Sequence, residues 1–139
     1  MKKILLAMLI GSIGVIAALL GRQASRAALA PDKDAELVEL SRKLNTSLPS
    51  MVDAETRLDQ TSAALGQQFS YYYTFANHPS TNIDLGKLLA TLGPLMHERV
   101  CKTPETRALL KDGVTLNYIY RGNDNVELTR LAYTLKDCG

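Results

Sequence analysis

The side chains best suited to chemistry are two histidines and two cysteines. His97 and Cys101 are four residues apart on a predicted helix, a spacing that can place two metal ligands together, and Cys138 or His78 would add a third. A cysteine nucleophile would also pair Cys101 with one of these histidines. A small periplasmic hydrolase or metal-dependent enzyme is therefore one alternative, although we assign no catalytic, cofactor or metal-binding residue.

Paired carboxylates offer a second route to catalysis. Asp53 with Glu55, or Asp59 with Asp84, would supply the two acids of a glycosidase-like site. The sequence contains neither a Gly-x-Ser-x-Gly elbow nor a glycine-rich phosphate loop. Charged residues at strand ends are normally just solvated, so this pattern favours a non-catalytic protein.

The two cysteines have a simpler interpretation. An even number of cysteines behind an export signal indicates a disulfide, here Cys101–Cys138. Such a bond closes a loop that the chain-entropy model values at about 3–4 kcal/mol, against a total stability of roughly 5–15 kcal/mol for a domain. The alternative is a pair of buried free thiols in a cytoplasmic domain.

The export signal is the N-terminal hydrophobic segment, Ile4–Gly21. It contains no charged residue and lies between Lys2-Lys3 and Arg22. A helix of this length spans about 27 Å at 1.5 Å per residue, which is just enough to cross the hydrocarbon core of a bilayer. We predict that residues 1–30 form an anchor with a short connector, in contact with lipid through residues 4–21.

The fate and orientation of this segment are open. Ser25-Arg26-Ala27 and Ala28-Leu29-Ala30 are candidate signal-peptide cleavage sites. The basic residues on the two sides of the apolar run nearly balance, so the orientation depends on the disulfide argument. We predict a single-pass inner-membrane protein with its C-terminal domain in the periplasm; the alternative is a protein secreted to the periplasm after cleavage.

Residues 31–139 are enough for one compact domain. Four of the 16 basic residues and none of the 14 acidic ones lie in the first 30 positions, so this domain has 12 basic and 14 acidic side chains and a formal charge of −2. It has no basic stripe interleaved with aromatic residues. This charge pattern argues against nucleic acid as a partner.

Hydrophobic periodicity predicts an α+β domain in which two β-hairpins form a four-stranded antiparallel sheet against about three helices. We expect a kink or a break into two short helices at Gly93-Pro94, and a bulge near Thr129-Arg130. The predicted helices begin at Asp32 or Asp34, Asp84 and Thr103, and the predicted strands cover 56–62, 68–76, 114–121 and 126–135.

The tyrosines suggest an interaction surface. All six lie in predicted strands, and Tyr71 and Tyr73 are expected to pack under the helices. Tyr72, with Tyr118 or Tyr120, would then face outward as a platform for protein or glycan. The alternative is that these rings only cover a thin sheet.

Several motifs in the soluble part also indicate a family. They are Met51-Val52-Asp53-x-x-Thr56-x-Leu58, Tyr71-x-Tyr73-Thr74, Cys101-x-x-x-x-x-Arg107-x-Leu109-Leu110, Gly113-Val114-Thr115-x-x-Tyr118-x-Tyr120 and a terminal cysteine. This ordered set resembles a group of small bacterial envelope proteins with an N-terminal hydrophobic segment. The resemblance implies bacterial origin and export, and it implies no activity.

Together these features predict a membrane-anchored extracytoplasmic accessory protein of the bacterial envelope that acts by binding. Its partner would be an unidentified envelope protein. The anchor would confine the domain to a membrane-proximal layer and so raise its effective concentration near partners there. The alternatives are the small hydrolase or metal-dependent enzyme and an immunity or inhibitor protein. The last of these usually presents an acidic loop, which we do not find in the sequence.

Overall fold

The computed structural model describes residues 32–139. The predicted anchor, residues 4–21, lies outside this range, and within it no helix has the length and hydropathy needed to cross a membrane. The helices are α1 (Lys33–Asn45), α2 (Leu85–Lys102) and α3 (Pro104–Lys111), and the strands are β1 (Ser50–Met51), β2 (Thr56–Ala64), β3 (Gln68–Phe75), β4 (Thr115–Gly122) and β5 (Glu127–Tyr133).

The strands form one mixed sheet in the order β1-β2-β3-β4-β5. The two predicted hairpins, β2–β3 and β4–β5, are both antiparallel pairs. The predicted four-stranded antiparallel sheet is wrong in two respects, because β1 adds a fifth strand and β3 pairs with β4 in parallel. Parallel neighbours need a long crossover, which α2 and α3 provide.

The register of β4 and β5 contains the predicted irregularity. Tyr120 lies opposite Thr129, whereas the next residue, Arg121, lies opposite Glu127. Leu128 is therefore the extra residue on β5, next to the predicted bulge position.

The helix starts follow the sequence signals. The Asp84 carboxylate accepts the N–H of Lys87 at 3.0 Å and caps α2, and α3 begins at Pro104 as predicted. The expected break at Gly93-Pro94 is absent, since α2 is a single helix of 18 residues. Pro94 lies on the exposed side of this helix, so its ring meets solvent rather than the sheet.

All three helices contribute to a core on one face of the sheet, which we call the helix-side face. Helix α1 packs on β2, α3 packs on β4, and α2 packs toward β5 and the C-terminal turn Leu135–Cys138. The burial of each large apolar side chain contributes roughly 1.5–3 kcal/mol. The buried residues are Leu37, Phe69, Met96, Val100, Leu110, Val114, Leu116, Tyr118, Tyr120 and Tyr133.

Candidate functional site

A groove of about 300 Å³ opens on the helix-side face, between α2 and the strands β3 and β4. Strand residues form its floor, α2 forms one wall, and the segment 52–56 forms its rim. The floor residues are Tyr71, Tyr73, Phe75, Tyr118 and Tyr120.

The parallel register of β3 and β4 builds this floor. It places Tyr71 directly opposite Tyr118 and Tyr73 directly opposite Tyr120. The rings of the two pairs stack with centroids 4.8 and 4.9 Å apart, and Phe75 extends the row at 5.5 Å from Tyr120. Aromatic faces at this spacing attract one another beyond their buried area, so the floor is a continuous and rigid aromatic surface.

The floor also carries polar groups. The Tyr120 hydroxyl donates to the Met96 sulfur at 3.4 Å. Within residues 32–139 the hydroxyls of Tyr71, Tyr73 and Tyr118 have no hydrogen-bond partner. Burial raises the pKa of Tyr71 to about 12 and raises the pKa values of Tyr73 and Tyr118 as well. At neutral pH these phenols are protonated and can donate hydrogen bonds to a bound group.

The wall of the groove is largely apolar because α2 turns a hydrophobic stripe toward the sheet. Met96 and Val100 reach into the core, while Leu92 is partly buried. Leu95 remains 41% exposed at the groove edge. The charged side chain on this wall is Arg99.

A fixed turn forms the rim opposite α2. The Asp53 carboxylate accepts N–H groups from Glu55 at 2.8 Å and Thr56 at 2.7 Å. The pKa of Asp53 is lowered, chiefly by the hydrogen bond from the Glu55 N–H and also by the bond from the Thr56 N–H and the positive charge of Arg99. Asp53 therefore holds the turn that presents Val52 to the groove.

The predicted disulfide Cys101–Cys138 is present, with the two Cα atoms 5.4 Å apart. His97 is exposed, and its Nε2 lies 2.5 Å from the carbonyl oxygen of Asp137 and 3.9 Å from the Cys101 sulfur. A bonded sulfur is neither a metal ligand nor a nucleophile. The bond instead fastens the C-terminal turn to α2, so these residues support the groove wall.

The other candidate catalytic or metal-binding residues predicted from the sequence make hydrogen bonds or ion pairs within the fold. His78 pairs with Glu55 at 3.3 Å, and the Asp59 carboxylate accepts hydrogen bonds from Arg57 and Thr74 on the other face of the sheet. Asp84 is the cap of α2. Over residues 32–139, no three His, Cys, Asp or Glu side chains come together as a potential metal site.

The predicted tyrosine surface is divided between the two faces of the sheet. Tyr72 lies on the face opposite the helices, where its hydroxyl accepts from Ser62 at 3.2 Å and its ring lies 5.8 Å below the Arg121 guanidinium. Tyr118 and Tyr120 are on the helix-side face and only 4% and 3% exposed. The parallel register explains this division, because it aligns both residues with Tyr71 and Tyr73.

The sequence patterns predicted β2 to β5 and the apolar stripe of α2 but not β1 or the groove. The alternation along β3 and β4 predicts which residues share a face, yet it carries no information on the direction in which two strands pair. A signal was nevertheless present, since the 39 residues between β3 and β4 that hold two helices favour a crossover over a hairpin.

Comparison with solved structures shows a similar fold in a protein described as secreted and in two pilotins of type II secretion systems. A Pseudomonas aeruginosa protein described as secreted shares 16% identity with this chain, with a TM-score of 0.60 and coverage of 78% of this chain and 98% of that one. A pilotin of the Vibrio vulnificus type 2 secretion system, EpsS, gives 14% identity, a TM-score of 0.62 and coverage of 77% and 92%.

The type II secretion system pilotin AspS from Vibrio cholerae is also similar, with 13% identity, a TM-score of 0.59 and coverage of 87% of this chain and 99% of that one. The sequence matches no family model and no curated protein. At these identities the likeness concerns the fold alone.

Proposed function

We propose that this chain is a non-catalytic accessory protein of the bacterial envelope that binds an amphipathic helix of another envelope protein in the groove. The observation that carries the proposal is the stacked aromatic floor beside the apolar wall of α2, with Leu95 left 41% exposed at its edge. Concave apolar sites with a few placed polar groups are the usual binding sites of proteins.

The position of the groove favours a helix over an extended peptide. An extended peptide binds by pairing its backbone with the edge of a sheet, whereas this groove lies over the face of β3 and β4. A ligand there meets aromatic rings and a few hydroxyls, so its own backbone hydrogen bonds must be satisfied internally. A helix meets this requirement and presents apolar side chains at i, i+3 and i+4.

An extracytoplasmic location agrees with three separate features. The chain begins with a basic pair and an apolar run, it holds a disulfide, and its fold is shared by a protein described as secreted and by two secretion-system pilotins. We propose an inner-membrane anchor formed by residues 4–21. Fusion of alkaline phosphatase to the C-terminus tests this topology, because the enzyme becomes active only outside the cytoplasm.

Site-specific photo-crosslinking in the native host tests the groove itself. A photoreactive amino acid replaces Leu95 in the full-length chain, and a matched variant carries it at Leu65, which is 87% exposed in the β2–β3 turn. We expect one adduct that depends on the Leu95 position and maps, by mass spectrometry, to an amphipathic helical segment of an envelope protein.

Other adduct patterns would overturn the proposal. The groove is not the binding site if Leu95 gives no adduct, or if both positions give the same adducts. An adduct that maps to an extended edge-pairing segment would reject the helix, and one that maps to a cytoplasmic protein would reject the location.

A further inference from the structure

The described lining of the groove contains two charged side chains, Asp53 and Arg99. Asp53 is already engaged, because it accepts the two backbone N–H groups of its own turn. Within residues 32–139, the Arg99 guanidinium has no hydrogen bond and no ion pair. The next base on the same helix, Lys102, pairs with Glu98 at 2.9 Å. Arg99 is thus the charge of the groove that remains available to a ligand.

Arg99 also acts on the groove floor. Burial raises the pKa values of Tyr73 and Tyr120, and the positive charge of Arg99 acts in the opposite direction on both. The same charge contributes to the lowered pKa of Asp53 across the groove. Its field therefore extends over the aromatic floor, where an apolar ligand would lie.

Because Arg99 lines the groove, a ligand that covers the floor lies beside its guanidinium and displaces part of the water around it. An unpaired charge that loses its water is strongly unfavourable, whereas a guanidinium can hold a carboxylate through two parallel hydrogen bonds. We propose that Arg99 selects the occupant of the groove by pairing with an Asp or Glu side chain on the apolar face of the bound helix. This inference rests on the proposed function and specifies the chemistry of its partner.

The test uses the segment captured at Leu95, synthesised as a peptide in its native form and with each acid replaced by its amide. Affinities are measured by calorimetry on the protein with residues 1–139 in detergent. We expect Arg99→Met to weaken binding of the native peptide on the order of tenfold or more, and one amide substitution to weaken binding to the unchanged protein equally. Combining the two changes should weaken binding little more than either change alone.

Lys102→Met is the matched control, since it removes a charge from the same helix away from the groove lining. Arg99→Glu should abolish binding of the native peptide and restore it for a peptide whose critical acid is replaced by Arg. Arg99 is exposed, so its variants should melt like the unchanged protein.

The outcomes separate the two proposals. A native peptide that binds Arg99→Met as tightly as the unchanged protein, while losing affinity for a Leu95→Glu variant, would overturn the role of Arg99 and leave the groove as the binding site. If no segment is captured at Leu95, the proposed function fails, and the role of Arg99 fails with it.

Discussion

The side-chain amide of Asn45 pairs with the backbone of Thr61 in the manner of a neighbouring strand. Its oxygen accepts the Thr61 N–H at 2.8 Å, and its nitrogen donates to the Thr61 carbonyl oxygen at 3.0 Å. Strand β1 covers β2 only at Leu58 and Arg57. Asn45, the last residue of α1, thus pairs with the part of the β2 edge that the two-residue strand β1 does not reach.

Asn45→Ala should destabilise the domain by about 1–3 kcal/mol, because both backbone groups of Thr61 lose their partner. It should also increase self-association, since an unpaired strand edge can pair with another chain. Chemical denaturation and sedimentation measure the two effects. Thr46→Ala, a change at the next residue that leaves Thr61 paired, is the control; equal effects of both substitutions would contradict the account.

Removal of the disulfide should destabilise the domain substantially. The 37-residue separation of Cys101 and Cys138 corresponds to about 4 kcal/mol in the chain-entropy model. Denaturation of a double Cys→Ser variant, with and without reductant, measures this difference. Reductant should lower the stability of the natural protein and have no effect on the variant. A natural protein whose melting does not respond to full reduction would reject the structural role.

Phe69→Ala should be among the most damaging single substitutions. This side chain is fully buried and its ring meets the Tyr71 ring edge-on, with the centroids 5.2 Å apart, so its removal leaves a cavity beside the aromatic floor. The expected cost is about 3–5 kcal/mol. Leu65→Ala removes an apolar side chain that is 87% exposed and should be nearly neutral. Similar losses for the two variants, measured by urea denaturation, would contradict the core assignment.

The buried phenols predict a loss of stability at alkaline pH. Burial raises the pKa of Tyr71 to about 12 and also raises the pKa values of Tyr73, Tyr118 and Tyr120. The folded state therefore retains protons that the unfolded chain releases near pH 10. Stability should be fully present below about pH 10 and fall as the pH rises toward 12.

Denaturation midpoints and phenolate absorbance at 295 nm, measured between pH 8 and 12, check this dependence. The phenolate absorbance of the buried tyrosines should appear only when the protein unfolds. Six tyrosines that all ionise near pH 10 in a chain that is still folded would show that the floor is open to water.

The sequence predicted local structure well and tertiary placement poorly. The period-two pattern from Phe69 to Phe75 and the caps at Asp84 and Thr103 are local signals, and the corresponding elements form at those positions. The parallel pairing of Tyr71 with Tyr118 joins residues 47 positions apart, and no local pattern specifies it. The groove is a consequence of that pairing.

At Pro94, a local sequence signal did not determine the structure. The sequence predicted a kink or a break into two short helices at Gly93-Pro94. The break is absent, because α2 continues through Pro94 as one helix whose Met96 and Val100 pack into the core. Tertiary contacts of this kind outweigh local propensity. Arg99 could not be singled out from the sequence, since its significance depends on the aromatic floor beneath it.

Tyrosine ring signals give the most direct test of the groove. The protein is labelled with ¹³C on its tyrosine rings, assigned with single Tyr→Phe variants, and titrated with the captured segment as a peptide. We expect the signals of the four floor tyrosines, Tyr71, Tyr73, Tyr118 and Tyr120, to shift, while that of Tyr72, on the other face of the sheet, stays in place. A shift of Tyr72 with the four floor tyrosines unchanged would contradict the groove as the binding site.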